Sequence, residues 1–183
     1  YVTLNSQDIV LDIGSNDSTL LQGYPKRNLS LVGFDPTGIK FKKFYPDHIT
    51  LIADFFNSRI FKKYFGNKKA KIITSIAMFY DLEEPLKFVR EVYDILSDDG
   101  IWVFEQSYMP LMLEVNAFDT ICHEHLEYYR LNQIHWMMEK VGFKIIGIEF
   151  NNINGGSFSV TVAKSESSFS ETPSLEKFLI DEK

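Results

Sequence analysis

Short apolar runs closed by polar or acidic residues recur along the first two-thirds of the chain. Residues 9–13 (Ile-Val-Leu-Asp-Ile) lead into Gly14-Ser15-Asn16-Asp17, the pattern of a buried parallel strand entering a tight turn and then a helix. Residues 29–34 predict a second strand, stopped at Asp35-Pro36, where proline ends the ladder. Residues 49–53 predict a third, ending at Asp54. Residues 71–76 predict a fourth, followed by Ala77-Met78-Phe79-Tyr80-Asp81, and 101–105 a fifth. Helix-like segments fall between them at 17–22, 38–44, 58–65 and 84–96. In the last, Leu86, Val89, Val92, Tyr93 and Leu96 share one face, Pro85 suits a first turn, and Gly100 lies beyond the end. Strands alternating with helices mean parallel βαβ units. After a less regular stretch, 132–141 predicts a helix, and 143–150 and 158–163 predict strands. Asn151-Asn152-Ile153-Asn154-Gly155-Gly156 is short enough to join that pair as an antiparallel hairpin at a sheet edge.

This α/β order is similar to the Rossmann-like seven-stranded sheet of class I methyltransferases, mostly parallel with an antiparallel terminal hairpin. Simple dinucleotide folds lack that insertion. A length of 183 residues suits one core, expected over 1–163. From 164 the chain turns rich in Ser and Glu, so 164–183 is expected to be a linker and the start of a C-terminal element, with helix over 175–180. Hydrophobic residues at 45% and charged residues at 24% exclude a disordered or fibrous chain. The 16 Phe and 9 Tyr suit a large core, a stacking pocket or a face awaiting a partner.

A net charge of −6 argues against nucleic acid as partner, since phosphate binding needs clustered cations. Lys62-Lys63 and Lys68-Lys69 fit a solvated helix face better. The single Cys122 excludes an internal disulfide framework, consistent with a reducing compartment, and a cytoplasmic location is expected. No apolar run approaches the roughly 20 residues of a membrane span, so no membrane partner is expected.

In doubly wound sheets a ligand sits beyond the carboxyl ends of the strands, where strand order switches. Asp12, Gly14, Asn16, Asp17, Asp35, Asp54, Phe55 and Ser75 are the candidates there. Gly14 lets backbone approach a ligand. Asp35 is placed to accept two ribose hydroxyls, and Asp54 with Phe55 to accept from an adenine amino group and cover the base. A dinucleotide is the rival ligand. Pyrophosphate binding wants G-x-G-x-x-G, whereas Gly14-Ser15-Asn16-Asp17-Ser18-Thr19 has one glycine and a carboxylate that repels phosphate. The same carboxylate suits an ammonium and a sulfonium, so S-adenosyl-L-methionine is the expected cofactor. Capping of helices and turns is the other role open to these acids, and for Asp17 the two stand level.

Downstream, Asp119-Thr120-Ile121-Cys122-His123-Glu124-His125-Leu126-Glu127-Tyr128-Tyr129 gathers ionisable groups where an acceptor is expected. Metal binding by His123 and His125 needs further ligands that are not evident, and no metal is expected. Histidines hydrogen-bonded within a loop are the structural alternative. This stretch, with Asp12-Ile13-Gly14-Ser15-Asn16-Asp17 upstream and Gly155-Gly156-Ser157 downstream, resembles the C-methyltransferases of nucleotide-linked keto-deoxysugars over about residues 8–162. The resemblance implies C-methylation beside a ketone, with His125 as base and Glu124 and His123 orienting it or holding the sugar and its phosphates. It also implies Tyr128, Gly155, Gly156 and Ser157 as acceptor contacts; Tyr80, after the fourth strand, is expected to line the acceptor pocket near the sulfonium, where an aromatic face favours a cation, plain packing being equally open. Cys122 stands where the family has Tyr, and Phe158-Ser159 where it has a basic residue. The family carries an N-terminal zinc-binding domain and a C-terminal domain, so a chain beginning at Tyr1 is expected to be a fragment, with flanking domains of the same chain as partners and a nucleotide sugar as small-molecule acceptor. O- or N-methylation and an inactive cofactor-binding scaffold are the alternative functions.

Overall fold

In the computed structural model, which describes residues 1–25, 28–118 and 120–182, the apolar runs form β1 (Ile9–Ile13), β2 (Ser30–Phe34), β3 (Ile49–Ile52), β4 (Ala70–Ile76), β5 (Leu96–Ser107), β6 (Phe143–Asn151) and β7 (Ser157–Lys164). They make one sheet in the order β3-β2-β1-β4-β5-β7-β6. The first five run parallel to one another, and β7 lies antiparallel to both β5 and β6. The hairpin therefore does not simply extend the edge: its second strand inserts next to β5. Every residue of β1 is buried, which is why its sequence is continuously apolar apart from Asp12.

Helices α1 (Thr19–Gln22), α2 (Gly38–Phe41), α3 (Ser58–Phe65), α4 (Pro85–Ile95), α5 (Met109–Glu114), α6 (Leu131–Val141) and α7 (Leu175–Asp181) complete the chain. Local chemistry sets several ends. The Asn57 side chain accepts from the Ile60 amide at 2.9 Å to start α3. Pro85 opens α4, whose Phe88, Val89, Val92 and Ile95 face inward, and Gly142 closes α6 in the left-handed region. One face of the sheet packs Phe61, Val89, Val92, Ile134 and Met138 around Trp102 and Phe104. The other face holds Val10, Leu31 and Ile101 under Leu21, Val2, Leu4 and Phe169.

Two segments differ from the pattern-based expectation. Helix α5 follows β5 at once, in a stretch too short and too exposed on one side for periodicity to mark it. Residues 165–174 run back over the sheet, with the Thr172 amide donating to the Ile145 carbonyl at 2.9 Å, and α7 packs through Leu175, Phe178 and Leu179 onto the core. Phe178 meets Phe150 edge-on at 5.0 Å. No helix among the described residues is long and apolar enough to cross a membrane.

Candidate active site

Strand order reverses at β1, which has β2 on one side and β4 on the other, and the loops at that switch enclose a crevice of about 340 Å³. Gly14, at φ +75°, turns the chain out of β1 and donates its amide to the Phe34 carbonyl at 2.8 Å. Ser15 follows, its hydroxyl 2.8 Å from that of Tyr45, which also donates to the Asn16 carbonyl at 3.0 Å. A side chain at Gly33 would collide with the Ser15 hydroxyl, so the turn folds over β2 only because position 33 is bare. Asp35 fastens the two loops together. One carboxylate oxygen accepts from the Asn16 amide at 2.8 Å, the other from the Thr37 amide at 2.7 Å and hydroxyl at 2.8 Å. Asp35, Gly14 and Phe55 line the crevice with Phe56, Met78, Asp81, Leu82 and Phe88.

The remaining cofactor candidates stand around this space without lining it. Asp12 is buried beneath the turn, accepting from the Thr74 hydroxyl at 2.5 Å. Asn16 contributes backbone, and half-buried Asp17 accepts from the Thr19 amide at 3.0 Å, an interaction with Thr19 that holds its carboxyl below the usual carboxylate range. Asp54 is exposed and accepts from the Phe55 amide at 2.8 Å. Ser75 is fully buried, accepting from the Trp102 indole at 3.0 Å, so its hydroxyl serves the core.

Beside the crevice, a 3-10 turn over Phe79–Asp81 leaves β4 and carries the loop that holds His125. The Tyr80 carbonyl accepts from the amides of Leu126 at 3.0 Å and Glu127 at 3.1 Å, and its ring lies 4.1 Å from the His125 imidazole. His125 is half-buried there, whereas His123 and Glu124 are exposed. Tyr128 donates to the Thr120 carbonyl at 3.3 Å. Asp119, which opens this motif, lies outside the described residues. Gly155 and Gly156, both at positive φ, let the hairpin loop press on Ala117 and Leu111, where any side chain would collide. Ser157 donates its hydroxyl to the Ile153 carbonyl at 3.0 Å. These three residues hold the loop beside α5. Among the described residues, no three His, Cys, Asp or Glu side chains are grouped as a metal site requires.

A family model described as a methyltransferase domain matches residues 2–148. The chain belongs to this methyltransferase-domain family. The methyltransferase domain is 23% identical to the C-methyltransferase NovU of Streptomyces niveus over 183 residues, all of this chain and 44% of NovU. It is 28% identical to the carboxy-S-adenosyl-L-methionine synthase of Nautilia profundicola over 107 residues, 56% of this chain and 46% of that protein. The chain thus spans less than half the length of the curated relatives it matches. Among solved structures, LepI in complex with SAM superposes with a TM-score of 0.67 at 12% identity, covering 87% of this chain and 43% of LepI, a likeness of fold.

S-adenosylmethionine is the cofactor of this methyltransferase domain, and its crevice fits that cation. Burial, reinforced by the charge of Asp35, raises the Asp12 carboxyl from 3.8 to about 6, although the Thr74 hydrogen bond opposes the rise. Among the described residues, no salt bridge includes Asp12 or Asp35. Two buried carboxylates without a cation suit a sulfonium and an ammonium and disfavour a pyrophosphate. Asp35 offers further lone pairs to ribose hydroxyls, and Phe55, 74% exposed at the rim, offers a face to a base. Sequence reasoning missed Phe56, Met78, Asp81, Leu82 and Phe88 as crevice walls. Asp81 alone carried a signal, since it follows its strand much as Asp35 and Asp54 follow theirs.

Proposed function

We propose that this methyltransferase domain methylates a carbon alpha to a ketone in a nucleotide-linked sugar, with His125 as the general base. The observation that carries the reading is the placement of His125, half-buried against the Tyr80 ring, on the same turn whose Asp81 walls the cofactor crevice. The 23% identity to a protein named as a C-methyltransferase supports the choice of carbon. When bound, S-adenosylmethionine supplies an electrophilic methyl group on a sulfonium. The protein's part is to make the acceptor carbon nucleophilic and to hold it still.

His125 takes the α-proton onto its free ring nitrogen. The C–H electron pair passes into the adjacent carbonyl as an enolate, and the imidazole becomes imidazolium. A histidine suits this step because its ordinary pKa lies near working pH. The Tyr80 ring restrains the imidazole and offers a face to the positive charge that develops on it. Glu124 and His123, exposed beside it, are placed to hold hydroxyls or phosphates of the acceptor.

The test uses a thymidine-diphosphate 4-keto-6-deoxyhexose in deuterated water. Wild-type protein is expected to exchange the α-hydrogen and to methylate carbon. His125→Ala is expected to lose at least about a hundredfold in turnover, the usual contribution of a general base, while binding S-adenosylhomocysteine as before. Wild-type turnover in that variant would remove His125 from the reaction. A product methylated on oxygen or nitrogen, with no exchange, would assign the domain to heteroatom transfer.

A further inference from the structure

We propose that Tyr45 is a positioning residue for the cofactor: its hydroxyl locks Asn16 into the left-handed backbone that presents the Asn16 amide to Asp35, and so holds that carboxylate ready for the ribose. The hydroxyl acts on the cofactor side alone, whatever the acceptor is.

Between Gly14 and Ser18 three residues stand at positive φ: Gly14 at +75°, Asn16 at +44° and Ser18 at +67°. Glycine adopts that region freely, whereas asparagine and above all serine do so at a cost, and such a backbone persists only where its neighbours over-determine it. The neighbour here is the 3-10 turn over Lys42–Phe44, with Tyr45 just after it. The Phe44 carbonyl accepts from the Ser18 hydroxyl at 3.4 Å and from the Gln22 side-chain amide at 3.2 Å. The Tyr45 hydroxyl donates to the Asn16 carbonyl at 3.0 Å and, with its proton used there, accepts from the Ser15 hydroxyl at 2.8 Å.

Asn16 is therefore gripped at both ends of its backbone. Tyr45 holds its carbonyl, and its amide donates to one Asp35 oxygen at 2.8 Å, while the Thr37 amide and hydroxyl hold the other at 2.7 and 2.8 Å. Asp35 lines the crevice and Tyr45 stands outside it, so the hydroxyl works on the cofactor through Asn16. The Ser15 and Tyr45 hydroxyls meet over bare position 33, where a β-carbon would come within 3.1 Å of the Tyr45 oxygen. Burial raises the Tyr45 phenol above its ordinary value; the Ser15 hydrogen bond opposes the rise, and the charges of Asp35, Asp12 and Asp17 add to it. The hydroxyl thus keeps the proton that the Asn16 carbonyl requires. The ring packs against the apolar cluster that includes Val10, Leu31 and Ile49, a role that phenylalanine would preserve.

The deciding experiment compares wild type, Tyr45→Phe and Ser15→Ala in the 183-residue chain, by calorimetric titration with S-adenosylhomocysteine and by amide hydrogen exchange without ligand. Tyr45→Phe is expected to weaken binding about tenfold, the upper worth of one intramolecular hydrogen bond, and no further, because Thr37 still holds half of the Asp35 carboxylate. In the same variant the Asn16 amide is expected to exchange about tenfold faster or more, with the Gly14 amide, bonded to the Phe34 carbonyl, unchanged. Ser15→Ala leaves Tyr45 its bond to Asn16 and is expected to weaken binding by about twofold at most. In turnover the Tyr45→Phe loss is expected in donor KM, with kcat nearly unchanged. Affinity in Tyr45→Phe within about twofold of wild type would overturn the proposal. Weaker binding with the Asn16 amide still protected would do the same, since the hydroxyl would then act by another route. A Ser15→Ala loss as large as that of Tyr45→Phe would make the hydroxyl pair, and not Asn16, the point of action, and a loss confined to kcat would remove Tyr45 from cofactor positioning.

Discussion

Asp12 is a buried carboxylate that costs the fold stability. Its side chain is 4% exposed, and among the described residues it has the Thr74 hydroxyl as partner but no cation. The folded carboxyl titrates at about 6 against an ordinary 3.8, so between those values the folded chain holds a proton that the unfolded chain has released. Stability from this group therefore falls as pH rises through that window, and the whole penalty, on the order of 2–3 kcal/mol, is present above pH 6. Asp12→Asn keeps an acceptor for Thr74 and removes the charge. The expected outcome is a variant more stable than wild type by about that amount at pH 7–8, with the gap closing toward pH 4, measured by urea denaturation across pH. A gap independent of pH would mean that burial of the charge is not the cause. Reduced affinity for S-adenosylhomocysteine in the same variant would show what the charge is kept for.

At the scale of elements, the end of α7 ties α6 to the end of β5 and to the loop that carries His125. The Glu182 carboxylate, whose side chain is 2% exposed, accepts from the Leu131 amide at 2.6 Å and the Asn132 amide at 2.9 Å. It thus covers the positive end of α6 from a distant part of the chain. It also accepts from the Tyr108 hydroxyl at 2.5 Å, and Tyr108 is bridged to Tyr129, where the His125 loop ends. One carboxylate therefore joins α6, the end of β5 and the downstream anchor of the acceptor loop. Glu182→Ala leaves two helix amides and the Tyr108 hydroxyl without their partner. The expected loss is about 2–3 kcal/mol, the range for charge-assisted bonds in a buried setting, read as a lower urea midpoint with an unchanged slope. A loss below about 0.5 kcal/mol would show that water replaces the carboxylate readily.

At the scale of the whole molecule, the crevice is lined by the ends of β1 and β2, by the loops after β1, β2, β3 and β4, and by Phe88 of α4, so a ligand that fills it ties together segments far apart in sequence. S-adenosylhomocysteine at about 100 times its Kd is expected to stabilise the fold by about 2.7 kcal/mol, and hence to raise Tm by roughly 5–10 °C for a chain of this length. NAD is expected to give no rise, because its pyrophosphate meets Asp35, with the Asp12 charge beneath, instead of a glycine cradle. Asp35→Ala is expected to abolish the rise along with the latch it forms between Asn16 and Thr37. A full thermal shift in that variant would place the cofactor elsewhere.

By itself the sequence determined the sheet: a run such as 9–13 is apolar but for Asp12 because both faces of a central parallel strand are buried, and that requirement is local enough to read residue by residue. It also determined the chemical character of the turn after β1, since one glycine followed by the Asp17 carboxylate disfavours phosphate wherever the chain goes next. The tertiary structure decided which of the acids face the crevice. Asp35 and Asp81 line it, Asp12 lies beneath it, and Asp54 points to solvent, although all follow or end strands in the same manner. It likewise decided that Ser75 bonds to Trp102, that Gly155 and Gly156 yield to α5, and that Glu182 reaches α6. These outcomes depend on contacts between residues some 27 to 50 positions apart, and the composition of a short segment carries no information about which distant segment will be packed against it.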